Sequence, residues 1–338
     1  MVDDIGNNKQ AVSPANLSVR EYANAALKRG HLIRKSFEYR VTSLDAQELA
    51  HRTEVLCVNQ ATFGGDSTAK LNRYWAREQA FAQLFRVRYG MNYQEYLPGR
   101  VYTYRALIIR IMEILDIHSI IDVGCGSGMI LHEAARKGLN ASGVDISANA
   151  LIFARYLAAE FRSRNLTLAN ADALGSWRPP IEPADLVSNL GSLEHLQFED
   201  QLKFAKYMGQ LSRKYVLVSV PNVRSPLFTT MESEELGIKD DEWIYPEEYE
   251  HFDVNFARLG EALGWSVVSE SSVHVPSTSL TGHSAELHSM LETSQRGGSG
   301  NSVSSEALMN AWLKVEALCS EQTLESLGWF RFVIFSIP

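Results

Sequence analysis

Cysteine is scarce in this 338-residue chain: Cys57, Cys125 and Cys319 are the three, and they form no metal-ligand or CxxC spacing. Their scatter excludes a disulfide-stapled scaffold and a zinc–cysteine site, and it suits a reducing cytoplasm. Long apolar runs are missing too, so no stretch reaches the roughly 20 residues that a membrane-spanning helix needs. The opening MVDDIGNNKQAVSPAN is polar and acidic, unlike the pattern of a secretory signal. No internal repeat is present, which excludes a solenoid. A positive surplus is also lacking: 32 Lys and Arg face 40 Asp and Glu, for a net charge of −8. An acidic chain argues against a general nucleic-acid binder. The charge is uneven, however. Up to His118 there are 16 Lys and Arg against 12 Asp and Glu, a net +4 that leaves −12 for the remainder. A basic N-terminal part either attracts an anionic acceptor or reflects solvated helix faces.

What is present is a globular composition, 45% apolar and 10% aromatic, able to bury one large core or two modest ones. The chain is organised around Ser119 to Ser147. Ile120-Ile121-Asp122-Val123 fits a buried strand and breaks at Gly124-Cys125-Gly126-Ser127-Gly128. Glycines at alternate positions let the backbone turn sharply and let a ligand approach it without a Cβ in the way. A helix pattern over Met129 to Lys137 is closed by Gly138, and a second strand, Ala141 to Val144, ends in Asp145. Strand, glycine turn, helix, strand and acid in that order form a nucleoside-binding half of a doubly wound sheet, in which the acid accepts bonds from ribose hydroxyls. The dinucleotide fingerprint GxGxxG would need a glycine where Met129 stands.

The run Asp122-Val-Gly-Cys-Gly-Ser-Gly128 resembles the first motif of class I S-adenosylmethionine-dependent methyltransferases. The resemblance covers about residues 100–275 and returns for the final strand. It implies a mainly parallel seven-stranded Rossmann-like sheet whose last strand is antiparallel, with S-adenosylmethionine as cofactor. The implied cofactor-binding residues are Asp122, Gly124, Cys125, Gly126, Gly128, Asp145, Ile146, Asp172, Ala173, Asn189 and Leu190. Among them, Gly124 and Gly126 would wrap the methionine part and Asp145 the ribose. Asp172 would meet the adenine amino group, or else cap a turn. Cys125 reads as packing in the turn and not as a nucleophile.

The fourth strand, Ala184 to Leu190, ends at Gly191-Ser192-Leu193-Glu194-His195-Leu196. Its Ser-x-Glu-His-Leu stretch is similar to small-molecule methyltransferases, including the ubiquinone-biosynthesis type. The Asn/Asp-Pro-Pro-aromatic run of enzymes that modify amino groups on nucleic-acid bases is absent. His195 is the first candidate for a general base, with Glu194 orienting it or touching the cofactor; the alternative for His195 is a structural bond at a helix start. His251, on the loop before the sixth strand, is the second candidate. Tyr102, Arg105 and Tyr245 are candidates for the acceptor, and Tyr74, Arg77 and Tyr93 could also face it. No metal site is expected. Tyr74, Trp75, Phe81, Leu84 and Phe85 stand at helical spacing, and the aromatics among them read as core and not as a cofactor box.

The expected organisation is a disordered tail over 1–17, a helical cap over 18–100 with helices at about 17–39 and 69–89, and the cofactor-binding core over 101–275 with its sixth strand at 264–268. An insertion over 276–328, with a flexible loop and a helix at about 305–319, then precedes a final core strand over 329–338. The expected activity is methyl transfer to oxygen, or secondarily nitrogen, of a small-molecule acceptor in a biosynthetic pathway. No nucleic acid or membrane partner is expected, and a homodimer is left open. The rival readings are a non-catalytic regulatory protein that binds the same cofactor, an RNA or protein methyltransferase, and a dehydrogenase.

Overall fold

Alternating βα units build a seven-stranded sheet in a computed structural model that describes residues 46–58, 65–89, 108–223, 252–273 and 330–338. The strands are β1 (Ser119–Val123), β2 (Asn140–Asp145), β3 (Leu166–Asn170), β4 (Ala184–Leu190), β5 (Ser212–Pro221), β6 (Ser266–Val273) and β7 (Phe330–Ser336). Their spatial order is β3-β2-β1-β4-β5-β7-β6. The pairs among β1 to β5 are parallel, while β7 runs antiparallel to both β5 and β6. The antiparallel last strand agrees with the expectation.

Helices α1 (Ala46–Leu56), α2 (Gly65–Tyr89), α3 (108–114), α4 (Met129–Arg136), α5 (Ala148–Phe161), α6 (Phe198–Leu211) and α7 (Phe256–Leu263) accompany the strands. Period-two alternation along β1 sends Ile120 to one face and Ile121 and Val123 to the other. Ile120 joins Leu186, Leu217 and Ile334 under Met112 of α3 and Leu131 of α4. Ile121 joins Val187, Val216 and Phe335 under Phe204 and Met208 of α6 and Leu259 of α7. Burial on both faces explains the apolar stretches Ile120-Ile121, Leu186-Val187 and Val216-Leu217-Val218 in the central parallel strands. A third cluster packs Phe81 and Leu84 of α2 on Phe153, Leu157 and Phe161 of α5, so the N-terminal helices rest on the sheet's own helical layer.

Local chemistry sets the helix ends. The Ser147 hydroxyl caps α5 by accepting from the Ala150 N–H, and the Asn255 side chain caps α7 by accepting from the Arg258 N–H. Gly264, at φ 69°, ends α7 in the left-handed region. Two elements differ from the sequence expectation. Helix α2 starts at Gly65, four residues before the expected Ala69. Strand β6 continues to Val273, past the expected end at Val268, because pairing with β7 carries its polar residues along. The expected helices over 17–39 and 305–319 lie outside the described residues.

Candidate functional site

The strand order reverses between β1 and β4, and open α/β sheets place ligands outside the strand carboxyl ends at such a switch point. The glycine turn leaves β1 there. Its Gly124 and Cys125 N–H groups both donate to the Val144 carbonyl, at 2.7 and 3.1 Å, so the turn is clamped to β2. Gly124 (φ 75°) and Gly126 (φ 51°) adopt left-handed backbone. Both also admit close neighbours. A Cβ on Gly124 would collide with the Ser192 hydroxyl, and one on Gly126 would stand 2.6 Å from Cζ2 of Trp75. Gly128 precedes α4. Behind the turn, buried His132 reaches the Ser127 carbonyl through Nε2 (3.1 Å) and the Ser163 hydroxyl through Nδ1 (3.0 Å). A carbonyl only accepts, so Nε2 carries the proton.

Asp145 closes β2, and each of its oxygens accepts a backbone N–H: Oδ2 from Gly126 and Oδ1 from Ser147, both at 2.8 Å. The acid and the glycine turn are thus one hydrogen-bonded unit. Burial pushes the Asp145 carboxyl up to about 6 against the pull of the Ser147 and Gly126 N–H bonds. Each oxygen keeps acceptor capacity beyond its one bond. Asn170, at the end of β3, donates to the carbonyls of Asp145 (2.9 Å) and Ile146 (2.8 Å). From the other side Asn72 of α2, fully buried, accepts from the Ser147 hydroxyl at 2.7 Å and donates to the Val58 carbonyl at 3.2 Å. Asn149 completes the tie by accepting from the Val58 N–H and donating to the Leu56 carbonyl, both at 2.8 Å.

The β1–β4 side carries the other acids. Asp122 is buried in β1 and accepts from the Ser188 hydroxyl at 2.7 Å; burial, aided by the neighbouring Asp145 charge, lifts its carboxyl to about 7. Asn189 donates to the Val123 carbonyl at 2.6 Å and accepts from the Leu193 N–H at 3.1 Å, so β4 aligns the loop that follows it. That loop forms a short 3-10 turn, Leu193–His195. Glu194 is 2% exposed, its Oε2 has no hydrogen-bond partner, and burial raises its carboxyl to about 8. His195 Nε2 stands 3.8 Å from Glu194 Oε1, longer than a hydrogen bond. The Glu194 carbonyl accepts from the Phe252 N–H at 2.7 Å. Arg331 of β7 secures the same segment: it binds Asp253 and Glu270, each at 3.0 Å, and lies 4.7 Å from the centre of the Phe256 ring.

The structure thus gathers Asp122, Gly124, Gly126, Gly128, Asp145, Ile146, Asn189, Leu190, Glu194 and His195 around the carboxyl ends of β1, β2 and β4. The Cys125 side chain points away, into the core against Gly143, and burial pushes its thiol well up. Asp172 caps a turn by accepting from the Leu174 N–H at 2.8 Å, and Ala173 beside it is buried. His251, Tyr102, Arg105, Tyr245 and Tyr93 lie outside the described residues. Tyr74 and Arg77 are half-buried on α2, where Tyr74 meets Trp75 edge-on. Sequence reasoning did not single out Asn72, Asn170, Ser192 or Arg331; it read Trp75 as core, and the ring does pack against the Phe81–Phe153 cluster, but its contact with Gly126 was not foreseen. Their partners lie far away in the chain, and no local period marks them. Among the described residues no cluster of His, Cys, Asp and Glu could hold a metal, and no helix is long and apolar enough to cross a membrane.

The family model described as a methyltransferase domain matches residues 120–214, from β1 into β5. No curated protein matches the sequence. Among solved structures, the chain is similar to the magnesium protoporphyrin IX methyltransferase of Synechocystis PCC 6803 with bound SAH. Identity there is 14% and the TM-score 0.44, over 77% of this chain and 100% of that one. It is also similar to a SAM-dependent methyltransferase from Archaeoglobus fulgidus, at 19% identity and TM-score 0.42, over 72% and 98% of the two chains. The methyltransferase domain of bacterial CtHen1-CN gives 15% identity and TM-score 0.43, over 70% and 98%. Likeness at this level concerns the fold alone. The family match falls on the strands that carry the glycine turn, Asp145 and the Glu194–His195 loop, so it is this stretch of the chain that is similar to a methyltransferase domain.

Proposed function

We propose that the chain methylates an oxygen, and secondarily a nitrogen, of a small acceptor molecule at the β1–β4 switch point. The observation that carries this reading is the buried Glu194 beside half-buried His195, set on the loop whose Ser192 touches the glycine turn. The surrounding residues fit the cofactor. Bare backbone at Gly124 and Gly126 suits the methionine part, and the spare acceptor capacity of Asp145 suits two ribose hydroxyls. Asp172 keeps its second oxygen for the adenine amino group. Bound S-adenosylmethionine supplies an electrophilic methyl carbon on a sulfonium, which needs alignment and dryness more than activation.

His195 takes the proton from the acceptor hydroxyl. An imidazole titrates near neutrality and suits that role, whereas the Glu194 carboxyl at about 8 is mostly protonated at pH 7. Glu194 therefore acts on His195 as a neutral neighbour at that pH and gains charge above it. The basic N-terminal part favours an anionic acceptor.

The test is transfer of isotope-labelled methyl from S-adenosylmethionine to a panel of hydroxyl- and amine-bearing small molecules, with RNA and protein fractions alongside. Label recovered in a small molecule supports the reading. Calorimetric binding of the cofactor with no transfer to anything would turn it into a regulatory protein, and label in RNA or protein would replace the acceptor class.

A further inference from the structure

We propose that Trp75 belongs to the donor pocket: its indole, resting on Gly126, roofs the methionine end of S-adenosylmethionine, so that seating the donor and seating α2 are one event. This rests on the donor reading above and extends it to a residue of the N-terminal helices.

Position is the first ground. The ring packs against the Phe81–Phe153 cluster, as a core tryptophan does, but it also lies on bare backbone. Both Cζ2 and Cη2 come within 2.7 Å of the point where a Gly126 Cβ would stand. Gly126 is also the residue whose N–H binds Asp145. Anything lying along the turn next to the acid therefore borders the indole.

Orientation is the second ground. Tyr74 meets the ring edge-on at 5.1 Å between centroids, and Phe153 flanks it at 6.4 Å. The ring is held between aromatics but stays only half-buried, whereas its neighbour Ala76 is fully buried. Apolar indole surface thus remains available to the methylene chain of a donor.

The tether of α2 is the third ground. Asn72 and Trp75 are three residues apart and share one face of α2. Asn72 binds the Ser147 hydroxyl, two residues past the ribose acid. One loop therefore offers the carboxylate and holds the helix that carries the roof. A donor that draws Asp145 and Gly126 together also fixes the platform beneath Trp75.

The experiment is titration calorimetry of wild type, Trp75→Ala and Trp75→Phe with S-adenosylmethionine, its demethylated product and adenosine, together with indole fluorescence. The donor and product carry the same methylene chain, whereas adenosine lacks it. Trp75→Ala is expected to weaken donor and product alike by about tenfold, the scale of one to two buried methylenes, and to leave adenosine unchanged. Donor is expected to quench wild-type fluorescence by a component that Trp75→Phe lacks, which serves if the alanine variant does not fold. Equal donor affinity in wild type and Trp75→Ala, equal losses for donor and adenosine, or equal quenching in Trp75→Phe would each overturn the proposal. Failure of the wild type itself to bind donor would remove the donor reading and this proposal with it.

Discussion

Replacing Asp145 with Asn separates the work this residue does for the fold from the work it does for the donor. Both carboxylate oxygens accept a backbone N–H, from Gly126 and Ser147. A carboxamide has one oxygen, so its NH2 must face one of those N–H groups. Losing that bond and leaving a buried donor unpaired costs about 2–3 kcal/mol. An opposing gain is of the same size. The rise of the Asp145 carboxyl from its ordinary 3.8 to about 6 means that the buried ion carries about 3 kcal/mol of penalty at neutral pH, which a neutral amide does not. Asp145→Asn should therefore unfold within a few degrees of wild type. Donor affinity has no such offset. Two ribose hydroxyls bonded to a carboxylate contribute about 3–6 kcal/mol, so Kd should rise by roughly 10²–10⁴-fold. Thermal unfolding and titration calorimetry at pH 7.5 read the two quantities on one preparation. A variant that binds the donor within threefold of wild type refutes the ribose assignment, and one that melts far below wild type refutes the offset.

The three raised carboxyls set a pH dependence. Asp122, Asp145 and Glu194 titrate at about 7, 6 and 8 in the folded chain, so between roughly pH 4 and 8 the native state holds more protons than the unfolded state. Their stabilising contribution is complete below pH 4 and is lost as pH rises through those values. The melting temperature should fall from pH 5 to 8.5 without donor, and Glu194→Gln should flatten the upper part; a wild-type curve that rises over that range contradicts the assignment. His195→Gln should lower kcat by about 10²–10⁴-fold with donor Kd unchanged, and a fully active variant would remove it as the base. Asn72→Leu should cost about 1–3 kcal/mol and speed hydrogen exchange in α2; unchanged protection over residues 65–89 would mean that the Ser147 tie does not hold the helix.

The parts of the fold that sequence exposed are those governed by local rules. Left-handed backbone at Gly124 and Gly126 demands glycine, so the turn after β1 reads directly from neighbouring residues. The apolar stretches within β1, β4 and β5 follow from burial on both faces. Strand β6 was read short because Ser269-Glu270-Ser271-Ser272 has no apolar alternation; its pairing comes from β7, which lies beyond a long stretch of chain. The Trp75 contact with Gly126 and the Asn72 bond to Ser147 hide for the same reason: a tryptophan at helical spacing looks the same whether it meets a side chain or bare backbone. Asp172 makes the turn-cap bond that the sequence offered beside its adenine role, and one oxygen of the carboxylate takes no part in that bond.

Arg331 makes the end of the chain a partner in the chemistry at its middle. Its two ion pairs and the Phe252 N–H bond to the Glu194 carbonyl form a continuous strut from β7 to the Glu194–His195 loop. Trimming the C-terminus, or a fusion that pulls β7 out of register, would therefore disturb turnover through geometry before it exposed any core. A chain engineered at that end should be judged by its rate as well as by its solubility.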